Sequence, residues 1–515
     1  MPFVPGVPSI TPKFKNTHLK TVWTALMVLL IAAGGYSCTT GAAETKKEDK
    51  PNIVVILVDD LGWKDIGVYG SPFHETPNID KLSREGMMFT DAYAASAICS
   101  PSRASILTGK YPARLQLTDW IPGRQHKRGP DDWNTLTPPD FEQQLALEEV
   151  TLAEALKEAD YSTGFFGKWH LGEEKFYPEH QGFDVNKGGW AAGNPRSAIY
   201  EGGGGYFSPY GNPKLENGPD GEYLTDRLTS ESINFMKENK DKPFLVYLSY
   251  YSVHTPMEAK EDYIEKYEQK AKNIPPVNAT GPRSILVTEE ARARSRLIQD
   301  HPIYAGMVQS LDEGVGRVLE SLQELGLDEN TIVIFTSDHG GLSTGRNAVT
   351  SSFPLKGGKG WLHEGGSRVP LIIKWPGETK PRSVSETPVI LTDIYPTLLE
   401  LTGQPLKPEQ HQDGLSLVPL LKGESELERD TFYWHYPHYS NHHSLPPGGA
   451  IRKGNYKLIE YYDDFEIELY NLSVDIGETE NLAEKEPEKG KELQQILRDW
   501  RESVNAQMPS SRKTD

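Results

Sequence analysis

The stretch NIVVILVDD, residues 52–60, runs six apolar residues, Ile53 to Val58, straight into two aspartates. A strand with one wet face would alternate polar and apolar residues. This one does not, so it reads as a strand covered on both faces, as in a parallel sheet. The design recurs in TIVIFTS, residues 331–337, which stops at Asp338-His339. It recurs in residues 243–253, which stop at His254, and residues 369–374 read as another strand of this kind. Between them, residues 151–159 and 304–325 carry apolar residues at helical spacing, the second closed by Gly326. Strands alternating with helices predict an α/β fold built on a mostly parallel sheet flanked by helices. Ligands bind such sheets beyond the carboxyl ends of the strands. Three of the strands end there in Asp or His.

Past Gly423 the pattern changes. Residues 450–460 and 466–471 read as antiparallel strands around a turn, and 484–504 as a closing surface helix. The expected organisation is an export signal over 1–37, a flexible tether over 38–50, a main domain over 51–423 and a smaller C-terminal α+β subdomain over 424–508. Residues 176–225 are rich in Gly, Pro and Tyr and show no period. They read either as a loop covering a ligand or as a surface excursion.

The chain has 515 residues, 37% hydrophobic and 25% charged, which suits a large globular core. Its formal net charge of −19 excludes a nucleic-acid binder working through a basic face. An anionic ligand would need a local basic pocket. Near the start, Lys13, Lys15 and Lys20 precede an apolar run over 22–33, too short for a comfortable transmembrane helix. Small residues then lead to Cys38, as at a lipoprotein cleavage site. The protein is expected to be exported, periplasmic or at the cell surface, either freed by cleavage or held to the membrane by a lipid on Cys38. Only two cysteines are present. With Cys38 lipidated or lost, Cys99 is left as a solitary thiol with no disulfide partner.

Asp59, Asp60, Asp338 and His339 come first among the candidate site residues. Adjacent carboxylates repel unless a positive charge compensates, and hard divalent cations favour oxygen ligands. Either pair alone also fits turn chemistry; two pairs at equivalent strand ends fit a shared metal. Lys168 and His170, two apart in a segment read as extended, share a face, a cation beside a proton carrier. His254 ends a strand. Lys359 lies in the glycine-dense segment 356–366, where backbone can approach a ligand. Pro101 and Gly109 mark the ends of a short helix, with Cys99 just outside its N-terminus and Arg103 in its first turns. A thiol there is either a small buried hydrophobe or reactive.

Cys99-Ser-Pro-Ser-Arg103, followed by Ile106-Leu-Thr-Gly109, resembles the signature of the type I sulfatases. The other motifs appear in that family's order from about Pro51 onward. The resemblance implies an alkaline-phosphatase-like fold and conversion of Cys99 to formylglycine by a formylglycine-generating or maturase enzyme. It implies a Ca²⁺ held by Asp59, Asp60, Asp338 and His339, the last in a position that is Asn in many members. Arg103 would hold the formylglycine hydrate, Lys168 and Lys359 the sulfate oxygens, His170 the hydrate and His254 the leaving oxygen. The chain looks closest to bacterial carbohydrate sulfatases, so a sulfated carbohydrate is expected as substrate, with 4-O-sulfated galactose or N-acetylgalactosamine foremost. His435, His438 and Arg452, in an aromatic and His-rich segment, are expected to contact the sugar. A phosphonate monoester or phosphodiester hydrolase of the same superfamily, and a non-catalytic glycan-binding lipoprotein, are the competing readings.

Overall fold

The strand read from residues 52–58 forms with those bounds, Asn52–Val58, and every residue in it is buried. The computed structural model describes residues 50–512 except 124–134, 197–203, 275–283, 289–292, 346, 425 and 441–444. The apolar run over 22–33 and Cys38 therefore lie outside the described residues. Among those described, no helix is long and apolar enough to cross a membrane.

Asn52–Val58 is the centre of a nine-stranded sheet and pairs in parallel with Phe244–Ser249 on one side and Thr331–Ser337 on the other. Ser162–Gly167 extends it in parallel beyond Phe244–Ser249. Register decides what meets at the sheet's end. Val58 faces Ser337, Leu57 faces Ser249, and Ser249 faces Gly167. Asp59, Asp338 and Lys168 therefore leave neighbouring strands at one edge. Helices such as Leu224–Glu238 and Pro302–Glu324 cover the sheet with buried apolar stripes.

One strand differs from expectation. Arg368–Lys374 is as apolar as its neighbours, but it runs antiparallel to both Thr331–Ser337 and Met87–Tyr93. Its beginning, not its end, thus lies at the carboxyl edge of the parallel strands. That reversal is what delivers the glycine-dense segment ahead of it, with Lys359, to the same edge. The segment after Gly167 also departs from the extended reading. The strand ends at Gly167, and His170 adopts a left-handed conformation with φ of 60°. A turn, not strand alternation, places Lys168 and His170.

The C-terminal region forms a four-stranded antiparallel sheet, Thr431–Tyr436, Gly448–Lys453, Tyr456–Tyr461 and Ile467–Asn471, with the helix Pro487–Ser503. The aromatic segment expected to reach a ligand is its edge strand. Trp434 donates to the Ala94 carbonyl at 2.8 Å, and Tyr433 stacks on Trp500 at 4.6 Å. Tyr93, Ala95 and Ile98 belong to the same hydrophobic core as this sheet. The approach to Cys99 is thus packed against the small sheet.

His435 and His438 are buried in that region. His435 binds the Tyr462 hydroxyl at 2.7 Å and the Gln507 carbonyl at 2.9 Å, and His438 binds Thr118 Oγ1 at 2.8 Å. Burial pushes His435 down to about 4 and His438 to about 3. Both are neutral in the fold and readily protonated in the unfolded chain, near 6.5. Below that value the unfolded state binds more protons, so stability falls with pH until the folded values are reached. Each group is expected to remove about 1.4 kcal/mol per pH unit across this window. Thermal melts between pH 7 and 4 should show a shallower fall for His435→Gln than for the wild type. Equal slopes would count against the buried neutral histidine.

Candidate active site

Cys99 is the first residue of the helix Cys99–Thr108, one position further in than the sequence implied, and Gly109 closes the helix in a left-handed conformation. The helix is buried along its whole length, which holds its N-terminus rigidly against the carboxyl edge of the sheet. Orphan N–H groups at such a start favour negative charge. Arg103, one turn on, donates from Nε to Asp338 Oδ2 at 2.9 Å, while its Nη2 is ion-paired 2.9 Å from the same oxygen and 3.3 Å from Asp59 Oδ1. Its Nη1 donates to the Lys168 carbonyl at 2.9 Å and to Ser249 Oγ at 2.7 Å.

The strand-end residues converge on this helix. Lys168 Nζ donates to Asp59 Oδ2 at 2.7 Å, and Lys359 Nζ donates to both oxygens of Asp60, at 2.7 and 2.8 Å. His339 Nε2 lies 3.2 Å from Cys99 Sγ and 3.3 Å from Asp60 Oδ1. His254 Nε2 is 3.8 Å from Asp60 Oδ2. Three carboxylates, Asp59, Asp60 and Asp338, thus face three permanent cations, Arg103, Lys168 and Lys359. All six are buried.

Electrostatics follow from that crowding. Burial alone would raise the Cys99 thiol, but Lys168 and Lys359 bring it down to about 6. Burial likewise opposes charge on His339, yet Asp338 and Cys99 lift it to about 9. Burial and Lys359 lower His254, and burial and Lys168 hold His170 well below its ordinary value. Burial raises Asp338 against the pull of His339 and Arg103.

The model of the sulfatase family matches residues 51–404 of this sequence. The chain belongs to the sulfatase family. It is a sulfuric ester hydrolase. A second model, for the C-terminal part of N-sulphoglucosamine sulphohydrolase, matches residues 358–507. The chain is similar to a sulfatase of Formosa agariphila, 32% identical with 87% of each chain covered. It is also similar to the N-acetylgalactosamine-6-sulfatase of Canis lupus familiaris, 33% identical over 80% of this chain and 72% of that one. Among solved structures, Ps i-CgsB in complex with k-i-k-neocarrahexaose superposes with a TM-score of 0.69 at 28% identity, covering 90% of this chain and 95% of that one.

The donor set of this sulfatase fits a hard divalent cation. Ligand atoms of Asp59, Cys99, Asp338 and His339 lie within 4.8 Å of one another, and so do those of Asp60, Cys99 and His254. Asp59 Oδ1 is buried and accepts no hydrogen bond. A cation there would complete that oxygen and hold Asp338 ionised against its burial.

The two remaining histidines are oriented by backbone. His254 Nδ1 lies 2.8 Å from the Thr255 carbonyl, as a donor must, which leaves Nε2 toward Asp60. Tyr206 braces this turn by donating to the carbonyls of Tyr251, at 2.6 Å, and His254, at 2.8 Å. Tyr206 comes from the Gly- and Tyr-rich region, which through this hydroxyl holds the turn that carries His254. His170 Nε2 meets the Ile121 carbonyl, while its buried Nδ1 has no hydrogen-bond partner. Gly193 packs on that ring so closely that a Cβ would come within 2.4 Å of it.

Sequence reasoning passed over the serines that align these groups. Ser100 Oγ donates to the His170 carbonyl at 2.9 Å and accepts from Ile121 N at 3.0 Å. Ser249 Oγ donates to the Lys168 carbonyl at 2.8 Å. Ser100 lay inside the quoted motif, whereas nothing local marked Ser249.

The structure does not bring His435, His438 and Arg452 to a ligand surface. Both ring nitrogens of His435 are occupied, His438 is buried against Phe141 and Thr118, and Arg452 binds Tyr93, the Gly454 carbonyl and Asp91. Their polarity serves the junction of the two sheets. An aromatic strand with polar tips looks the same in sequence whether it faces a sugar or another sheet.

Proposed function

We propose that the protein removes sulfate from a sulfated carbohydrate, with Cys99 converted to formylglycine and Ca²⁺ held by Asp59, Asp60, Asp338 and His339. The observation that carries this reading is the convergence of Lys168, Lys359, Arg103, His254 and His339 around Cys99 at a helix N-terminus. Formylglycine hydrate at position 99 would supply an oxygen nucleophile, and the cation would offset charge on the sulfate oxygens. The chain's own residues do the rest. Lys168 and Lys359 neutralise the transferring group, and charge preorganised in this way commonly supplies much of an enzyme's rate enhancement. As the bond from sulfur to the sugar oxygen breaks, the leaving oxygen takes a proton from Nε2 of the doubly protonated His254 ring, fixed through Nδ1, or from Lys359. His170, fixed through Nε2, offers Nδ1 as the base toward the hydrate.

A carbohydrate substrate is supported by the relative named for N-acetylgalactosamine 6-sulfate and by the neighbour solved with neocarrahexaose. Galactose or N-acetylgalactosamine is the proposed sugar, with the sulfate at O4; O6, the position in the relative's name, is the other arm of the test. Conversion of Cys99 requires a modifying enzyme as partner, and an exported location, periplasmic or cell-surface, fits the N-terminal sequence. The phosphonate monoester hydrolase of Agrobacterium radiobacter, at 21% identity and a TM-score of 0.61, shares the fold alone.

The test is sulfate release from 4-O- and 6-O-sulfated galactose and N-acetylgalactosamine, set beside hydrolysis of an aryl phosphodiester. Release from one of the sugars is expected, lost on thorough chelation and restored by Ca²⁺. A strong preference for the phosphodiester would overturn the carbohydrate reading, and a rate untouched by chelation would overturn the metal. Conversion should appear as a residue-99 peptide about 18 Da lighter than its cysteine form, a change distinct from sulfenic or sulfinic oxidation.

A further inference from the structure

We propose that a second cleft, beside the segment carrying Lys359, binds a neighbouring saccharide unit of the substrate, a reading that rests on the carbohydrate function above. The cleft holds about 250 Å³ and is bounded by residues 295–297, 352–357 and 477–479. None of the residues placed around Cys99 lines it. It is nonetheless built from the same segments. Gly357 in its wall is two residues from Lys359, hence within about 7 Å along the chain. Lys359 N donates to the Gly341 carbonyl at 2.9 Å, on the strand exit that leads from Asp338-His339 to Ser343 in the wall.

The lining has the chemistry of a sulfated sugar site. Phe353 is 52% exposed, a large apolar ring in water at the cleft. Such a ring covers the apolar face of a sugar. Lys356 Nζ donates to the Tyr470 hydroxyl at 3.0 Å and lies 3.9 Å from Glu468 Oε2, which leaves further N–H groups for an anion. Arg296 lines the cleft too, but its guanidinium donates to the Ile298 and Ala348 carbonyls and pairs with Asp300, so Lys356 is the cation the lining offers. Ser295 Oγ is buried and has no hydrogen-bond partner, so the wall holds an unanswered polar group. Glu478 also lines the cleft, but its carboxylate accepts from Glu364 N at 2.8 Å and pairs with Lys457 at 3.2 Å. Its charge is directed into the protein.

The experiment compares an aryl sulfate with a sulfated oligosaccharide of three or more units. Wild type, Phe353→Ala and Lys356→Met would be assayed on both, with melting curves to confirm folding. The expected result is a rise in oligosaccharide KM of about threefold to tenfold for each variant, the scale of one lost ring contact or exposed ion pair. The oligosaccharide kcat and both constants on the aryl sulfate should stay at wild-type values. Unchanged oligosaccharide KM in both variants overturns the subsite and leaves the carbohydrate reading standing. Equal losses on both substrates also overturn it, since they mark a distorted Lys359 segment. A wild type that hydrolyses the aryl sulfate and no sulfated oligosaccharide overturns the carbohydrate reading and the subsite with it.

Discussion

Cys99→Ala is expected to lower sulfate-ester turnover by on the order of 10⁴-fold or more, the scale seen when a nucleophile is deleted from an intact site. The fold should survive. Cys99 is small and buried, and the helix it begins is held by packing along its whole length. Alanine also has the higher helix propensity. The arginine, lysines and histidines around it would remain in place, so substrate binding should be largely kept while chemistry is lost. Cys99→Ser sharpens the result. A serine hydroxyl can accept a sulfuryl group but has no second hydroxyl with which to expel it, so at most one transfer per protein molecule is expected. Rapid-quench sulfate release together with the mass of the residue-99 peptide would measure this. Turnover by Cys99→Ala at the wild-type rate would overturn the assignment of position 99 and favour a non-catalytic glycan binder.

The second large effect lies outside the site. Lys457→Met is expected to destabilise the protein by about 3–5 kcal/mol, the usual cost of stranding a buried charge. Lys457 is fully buried on the strand Tyr456–Tyr461. It donates to Glu364 Oε1 at 2.9 Å and lies 3.2 Å from Glu478 Oε1. The other oxygen of Glu364 accepts from Arg368 Nε and the Tyr93 hydroxyl, each at 2.7 Å. One lysine from the small sheet thus balances Glu364, which leads into Arg368–Lys374 of the large sheet, and Glu478 of its own region. Methionine keeps the length and apolar stem but leaves those acids short of a partner. Adding Glu364→Gln should recover part of the loss, because pairing defects in contact are not additive. Denaturant unfolding of the two single variants and the double variant measures this coupling. A purely additive double variant would show that the bridge does not join the two sheets energetically. Turnover should fall with stability, since Glu364 follows the segment that presents Lys359.

Much of the site was legible residue by residue. Asn52–Val58 and Thr331–Ser337 were readable to the residue, because a strand buried on both faces must be apolar throughout and must stop where charge begins. The acids and histidines that end the strands were visible for the same reason. Cys99 and Arg103 were marked by a helix start with proline in its first turn. The serines and Tyr206 were not, since a hydroxyl that aligns a backbone carbonyl has no spacing of its own. His435, His438 and Arg452 were expected at a ligand and lie buried where the two sheets meet, because amphipathic side chains suit a sheet junction as well as a ligand.

The sequence by itself determined the buried strands, the charged groups at their ends and the family. Hydrophobicity along a chain records burial, and reactive residues keep their order. Only the tertiary structure decided that Arg368–Lys374 runs antiparallel, that three cations meet three carboxylates around Cys99, and that the small sheet packs on the approach to Cys99. Direction of pairing and choice of partner depend on register between distant segments, and a linear pattern of apolar and polar residues carries neither.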